Sequence, residues 1–82
     1  GRIADKHVQT AKQYSKNGLK IEAIREYEKA LSIFPSITEA KFELAKLRIN
    51  TGQYEQAKEL LAKIITEDSQ NPDFYSYFLK LF

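Results

Sequence analysis

Two passages of this chain, NGLKIEAIREYEKALSIFP at 17–35 and TGQYEQAKELLAKIITEDS at 51–69, share one layout. Setting Gly18 on Gly52 gives a register of 34 residues that needs no insertion. In that register Ala23 falls on Ala57, Tyr27 on Leu61, Ala30 on Ile64 and Leu31 on Ile65. Upstream, Ala11 falls on Ala45 and Val8 on Phe42, while Tyr14 on Arg48 keeps neither size nor polarity. A period of this length marks stacked repeats, in which each unit is the wall against which its neighbour packs.

Each unit reads as two helices. In the second, Ala40, Leu44, Ala45, Leu47 and Ile49 approximate a helical stripe from about Thr38 to Thr51. Ser36 followed by Glu39 fits a capping box at its start. Gly52 ends it, because the residue just past a helix often takes a positive φ. The next helix spans about Tyr54 to Glu67, with Ala57, Leu60, Leu61, Ile64 and Ile65 on its apolar face. Glu59 and Lys63 are spaced to pair on its wet side. The first unit repeats the plan: a helix over about Ile3 to Lys16, a turn at Asn17-Gly18, and a helix from Lys20 to Phe34 stopped by Pro35. A fifth helix starts at Asn71-Pro72-Asp73, with Asn71 as cap and Pro72 in the first turn, and runs to the end. No alternating run supports a strand. Ala11, Ala23, Ala30, Ala45 and Ala57 stand where antiparallel helices must approach closely.

These residues resemble the tetratricopeptide repeat (TPR) family. The likeness rests on Gly18, Ala23, Tyr27, Ala30, Leu31 and Pro35 in the first unit, with Ala11 and Tyr14 in its first helix. In the second unit it rests on Leu44, Ala45, Gly52 and Ala57, and more loosely on Leu61 and Ile64. The stretch DSQNPDFY looks like a junction into a further repeat. His7 and Lys41 stand where the family often has an aromatic, Thr10 replaces a Leu, Arg48 a Tyr and Ser69 the terminal Pro. Residues 11–34 alone would also suit a three-helix microtubule-interacting-and-trafficking module, but the second copy argues against it. The expected fold is all-α: one domain over 1–82, a right-handed α-solenoid of antiparallel helix pairs with five helices. Its repeats would cover about 4–37 and 38–71, with a trailing helix at 72–82.

Chemistry is harder to find. The sole histidine, His7, follows Asp5 by two residues, a spacing that does not share a helix face, so a structural histidine is the favoured reading. The chain lacks cysteine and shows no metal-ligand spacing, and its three glycines form no phosphate loop. Glu22/Glu26, Glu39/Glu43 and Glu55/Glu59 share faces, but exposed acids on helices usually serve solvation. An enzyme is not expected, nor is a cofactor. A net charge of +2 is too weak a footprint for nucleic acid, although residues 1–35 are mildly basic. No apolar run approaches the roughly 18 residues of a membrane span, and no leader is visible, which favours a cytoplasmic setting.

What remains is protein–protein interaction, as one module of a larger assembly protein. In the TPR family the first helix of each unit lines a concave groove. The resemblance carries Val8, Lys12 and Lys16, then Phe42, Lys46, Ile49 and Asn50, onto that groove, with Lys80 continuing it. Apolar residues edged by lysines suit a peptide with acidic and hydrophobic side chains. The family's clamp for acidic chaperone tails is not reproduced: Val8 and Lys12 stand where its first Lys-Asn pair should be, and Glu43 where an Asn is expected. The last helix is apolar nearly all round. With Phe74, Tyr75, Phe78, Leu79 and Phe82 facing the preceding hairpin, Tyr77 and Leu81 would stay outside, and homo-oligomerisation through them is the alternative reading.

Overall fold

The computed structural model describes residues 2–67 and 72–81. Among them run five helices: α1 (Arg2–Lys16), α2 (Lys20–Ile33), α3 (Thr38–Asn50), α4 (Tyr54–Glu67) and α5 (Pro72–Leu79). Each packs on the next, so α1–α2 and α3–α4 form two hairpins joined through α2 and α3, and α5 lies on α4.

The sequence register is repeated in the backbone hydrogen bonds. Gly18 sits at φ 80° and Gly52 at φ 79°. Past α1 the Leu19 N–H reaches back to the Tyr14 carbonyl at 2.8 Å, and the Gly18 N–H to Ser15 at 3.1 Å. Past α3 the Gln53 N–H reaches Arg48 at 2.7 Å, and the Gly52 N–H reaches Ile49 at 3.2 Å. This pair of bonds is the Schellman turn, which satisfies carbonyls that a helix end leaves open and needs a left-handed residue. Tyr14 and Arg48, the mismatched pair of side chains, do the same work through their carbonyls. The second helices also open alike, Ala23 N–H on Leu19 and Ala57 N–H on Gln53. Pro35 forces the residue before it out of the helical region, and Phe34 accordingly lies at φ −139°, ψ 91°.

Neither hairpin owns its core. One cluster takes Val8 and Ala11 from α1, Ala23, Ile24, Tyr27 and Ala30 from α2, and Ala40, Leu44 and Leu47 from α3. The second joins Ala45, Leu61, Ile64 and Phe74 from α3, α4 and α5, and Leu60 packs against both. The alanines at the helix crossings are wholly buried: Ala11, Ala23, Ala30, Ala45 and Ala57 each show 0% exposure. No methyl larger than Ala's fits there without moving a helix.

Four local expectations are corrected. The capping box does not form: α3 is capped by Ile37 with no side-chain hydrogen bond, which puts Ser36 one residue too early. Its Glu39 turns instead to Lys12 of α1, 2.5 Å away. Glu59 and Lys63 do not close their pair; on α4 it is Lys58 that meets Glu55, at 3.5 Å. The helical run of α5 ends at Leu79 rather than at the chain end.

The fourth correction is the rotation of α5. Phe74 is buried, and Tyr77, Phe78 and Leu81 pack on the second cluster, whereas Tyr75 and Leu79 are 42% and 65% exposed. Positions i, i+3, i+4 and i+7 form one helical stripe, and the Phe42 ring fixes which stripe faces in. It meets Phe74 edge-on at 4.8 Å and Tyr77 at 5.3 Å. The expected cap Asn71, the substituted Ser69 and Phe82 lie outside the described residues.

Candidate functional site

Alternate helices of the array run in the same direction, so α1, α3 and α5 present one side together. Contacts tie this side into a continuous wall. Lys12 of α1 pairs with Glu39 of α3. Phe42 of α3 meets Tyr77 of α5. The Lys46 ammonium stands 4.7 Å above the Phe42 ring centre, and Lys80 stands 5.2 Å above that of Tyr77. A cation over an aromatic face is held by the ring's negative quadrupole while its other N–H donors stay available.

The residues expected to bind a partner divide by depth. Lys16 and Asn50 are exposed, and Lys12, Lys46 and Ile49 are half-buried. Phe42 is also half-buried, under the rings of α5. Val8 is 5% exposed and belongs to the first core cluster, so it backs the wall rather than lining it. Of the self-association pair, Tyr77 and Leu81 are both packed inward.

Acids that sequence reasoning left out of this face balance its lysines. Glu39 takes Lys12, and Glu43 takes Lys46 at 2.8 Å. Such exposed pairs contribute about 0–1 kcal/mol each and open readily for a better partner. The same acids act on Tyr27, whose phenol is pushed up to about 12, first by burial and then by the charges of Glu43 and Glu39. Both losses of a buried neutral environment oppose the phenolate.

Other polar contacts stitch helices together. His7 Nδ1 lies 2.8 Å from Glu26 Oε1, and Lys29 Nζ donates to Glu26 Oε2 at 3.1 Å. The His7 contact, then Lys29, holds the Glu26 carboxyl below the usual carboxylate range. Lys41, one repeat on from His7, makes the matching link from α3 to Glu67 of α4 at 2.5 Å. Arg48 ties α3 to Glu28 of α2 at 2.9 Å and donates to Gln53. The His7–Glu26 pair is a brace: no hydroxyl or thiol among the described residues is hydrogen-bonded to that histidine. Among the described residues, no three His, Cys, Asp or Glu side chains gather to hold a metal ion, and no helix is long and apolar enough to cross a membrane.

On the opposite side, between α2, α3 and α4, lies an open depression of about 380 Å³. Leu31, Leu44 and Leu60 form its floor, with Glu28 and Arg48 at its rim already bonded to each other. It holds no pair of groups arranged for acid–base or nucleophilic work.

A family model described as tetratricopeptide repeat matches residues 21–76, from α2 into α5. No curated protein matches the chain.

Proposed function

The chain belongs to the tetratricopeptide repeat family, whose repeats mediate protein–protein interaction, and from that premise we propose that it holds a segment of a partner protein along the face shared by α1, α3 and α5. The observation that carries this reading is the unbroken wall from Lys12 through Glu39, Phe42 and Tyr77 to Lys80. Ile49 offers apolar contact at mid-wall, and Lys12, Lys16, Lys46 and Asn50 offer donors around it. Phe42 sets the wall's shape from beneath, and Val8 supports it from the core. Binding of this kind needs no bond to be broken, in keeping with a non-catalytic module.

The test is affinity capture of a partner by the wild type and by Lys12→Glu/Lys46→Glu, with circular dichroism confirming that both fold. The variant should capture markedly less. Capture that is undiminished removes this face from the account.

A second reading, self-association through α5, rests on a different observation. Leu79 lies in register with Ala11 and Ala45, two residues at 0% exposure, yet is itself 65% exposed. Tyr75 extends the same apolar edge. Sedimentation of the wild type beside Tyr75→Glu/Leu79→Glu decides it: a monomer mass in both eliminates the second reading.

A further inference from the structure

The repeat register orders the charges of the α1, α3 and α5 face more tightly than its apolar residues. Lys12, Lys46 and Lys80 occupy one position of the 34-residue period, and Asp5, Glu39 and Asp73 occupy another. The acids stand in the first turns of α1, α3 and α5. Each lysine follows its acid by seven residues, which is two helical turns, about 10.5 Å along the axis on the same face. Lys80 keeps this geometry just past Leu79, because its N–H still bonds the Ser76 carbonyl at 3.2 Å. Two parallel rows therefore cross the array, one of carboxylates and one of ammonium groups.

Two of the lysines are mounted on a common platform. Lys46 rests over Phe42, Lys80 rests over Tyr77, and those rings meet edge to face. The third, Lys12, leans across the seam between α1 and α3 onto Glu39 with 41% of its side chain exposed.

A chain lying across these helices passes from one lysine to the next at each helix. Packed helices stand about 8–10 Å apart. A polyproline II strand has three residues per turn and rises about 3.1 Å per residue, so the same side-chain direction returns every ~9.3 Å. The two spacings agree. Building on the docking reading above, we infer that the partner segment is an extended, polyproline-like stretch with an acidic residue at every third position, one carboxylate for each of Lys12, Lys46 and Lys80. Each carboxylate competes with an exposed intramolecular pair, and a charge-assisted hydrogen bond to a preformed row favours the exchange. The row of Asp5, Glu39 and Asp73 lies alongside and repels a polyanion, which selects a peptide of mixed character over a phosphate backbone.

The experiment uses two labelled peptides of identical composition and charge in a proline-rich background, one with glutamates at every third residue and one with the glutamates adjacent. Fluorescence anisotropy with the full chain measures affinity, and amide chemical shifts locate the contact. The spaced peptide should bind about tenfold more tightly, a difference of about 1.4 kcal/mol, with shifts on α1, α3 and α5. Lys46→Glu should erase that preference. Equal affinity with shifts on the same face overturns the spacing inference and leaves the docking reading standing. Shifts confined to α2 and α4 overturn both. Failure of both peptides to bind, or tighter binding of a single-stranded RNA, overturns the acidic-peptide inference, while the docking reading is then decided by the capture assay.

Discussion

Replacing Phe42 by alanine probes the joint on which the wall depends. The ring is half-buried and is met edge-on by Phe74 at 4.8 Å and Tyr77 at 5.3 Å. Truncating a fully buried Phe typically costs about 3–5 kcal/mol, so half burial brings the packing loss to roughly 2 kcal/mol. Each edge-to-face pair adds about 0.5–1.5 kcal/mol beyond its area. The expected loss is therefore about 2–4 kcal/mol. A domain of this size holds only about 4–12 kcal/mol in total, so the effect is large. It should also be local, because an eight-residue helix such as α5 does not persist without a surface to pack on. Urea unfolding followed by circular dichroism gives the global loss, and amide exchange over Phe74–Leu79 should quicken more than in α1 or α2. The control is Leu79→Ala, which removes an exposed side chain and should change stability by less than about 0.5 kcal/mol. If Phe42→Ala loses less than about 1 kcal/mol, or Leu79→Ala loses as much as Phe42→Ala, the rotation assigned to α5 is wrong.

Three further outcomes follow from single sites. Ala57→Leu places a large side chain at a crossing with 0% exposure, and urea unfolding should register a loss of about 1–3 kcal/mol. Gly52→Ala must hold φ near 79° with a Cβ, costing about 1–2 kcal/mol by thermal or urea melting, although nothing crowds the Cβ itself. Tyr27 ionises near 10 when unfolded and at about 12 when folded, so the stability owed to its neutral phenol is whole below pH ~10 and is lost as pH rises through ~12. Subtracting the pH–stability profile of Tyr27→Phe from that of the wild type should isolate this alkaline slope, and a flat difference would count against the burial of the phenol.

The helix boundaries were legible because their signals are local. Gly18 and Gly52 demand left-handed turns, and Pro35 cannot continue a helix, so the five helices fall where turn chemistry puts them. The small residues were legible too, since a repeated alanine in a helical stripe has few uses other than close packing. The rotation of α5 was not. With Phe74, Tyr75, Tyr77, Phe78 and Leu79 all large and apolar, no polar face fixes the helix about its axis, and only the Phe42 ring decides. The capping box failed by a single residue, because Ile37 rather than Ser36 precedes the first turn. Val8 shows the limit of carrying a site over by position: the equivalent Phe42 has room under α5, while Val8 is sealed among α2 and α3. Ties such as His7–Glu26, Arg48–Glu28 and Lys41–Glu67 join residues 19, 20 and 26 apart, beyond the reach of i,i+4 reasoning. The rows of charge were within reach, since both repeat at the period already established by Gly18 and Gly52.

The central claim is that α1, α3 and α5 form one face, with Lys46 at its middle. Since the chain has no cysteine, Lys46→Cys carries a single nitroxide label without further changes. Paramagnetic broadening of the amide spectrum should be strongest around Lys12 on α1 and from Tyr77 to Lys80 on α5, and weaker at Gln56 and Glu59 on α4. Broadening greatest at Glu28, Ser32 or Glu59, with α1 and α5 left sharp, would contradict it.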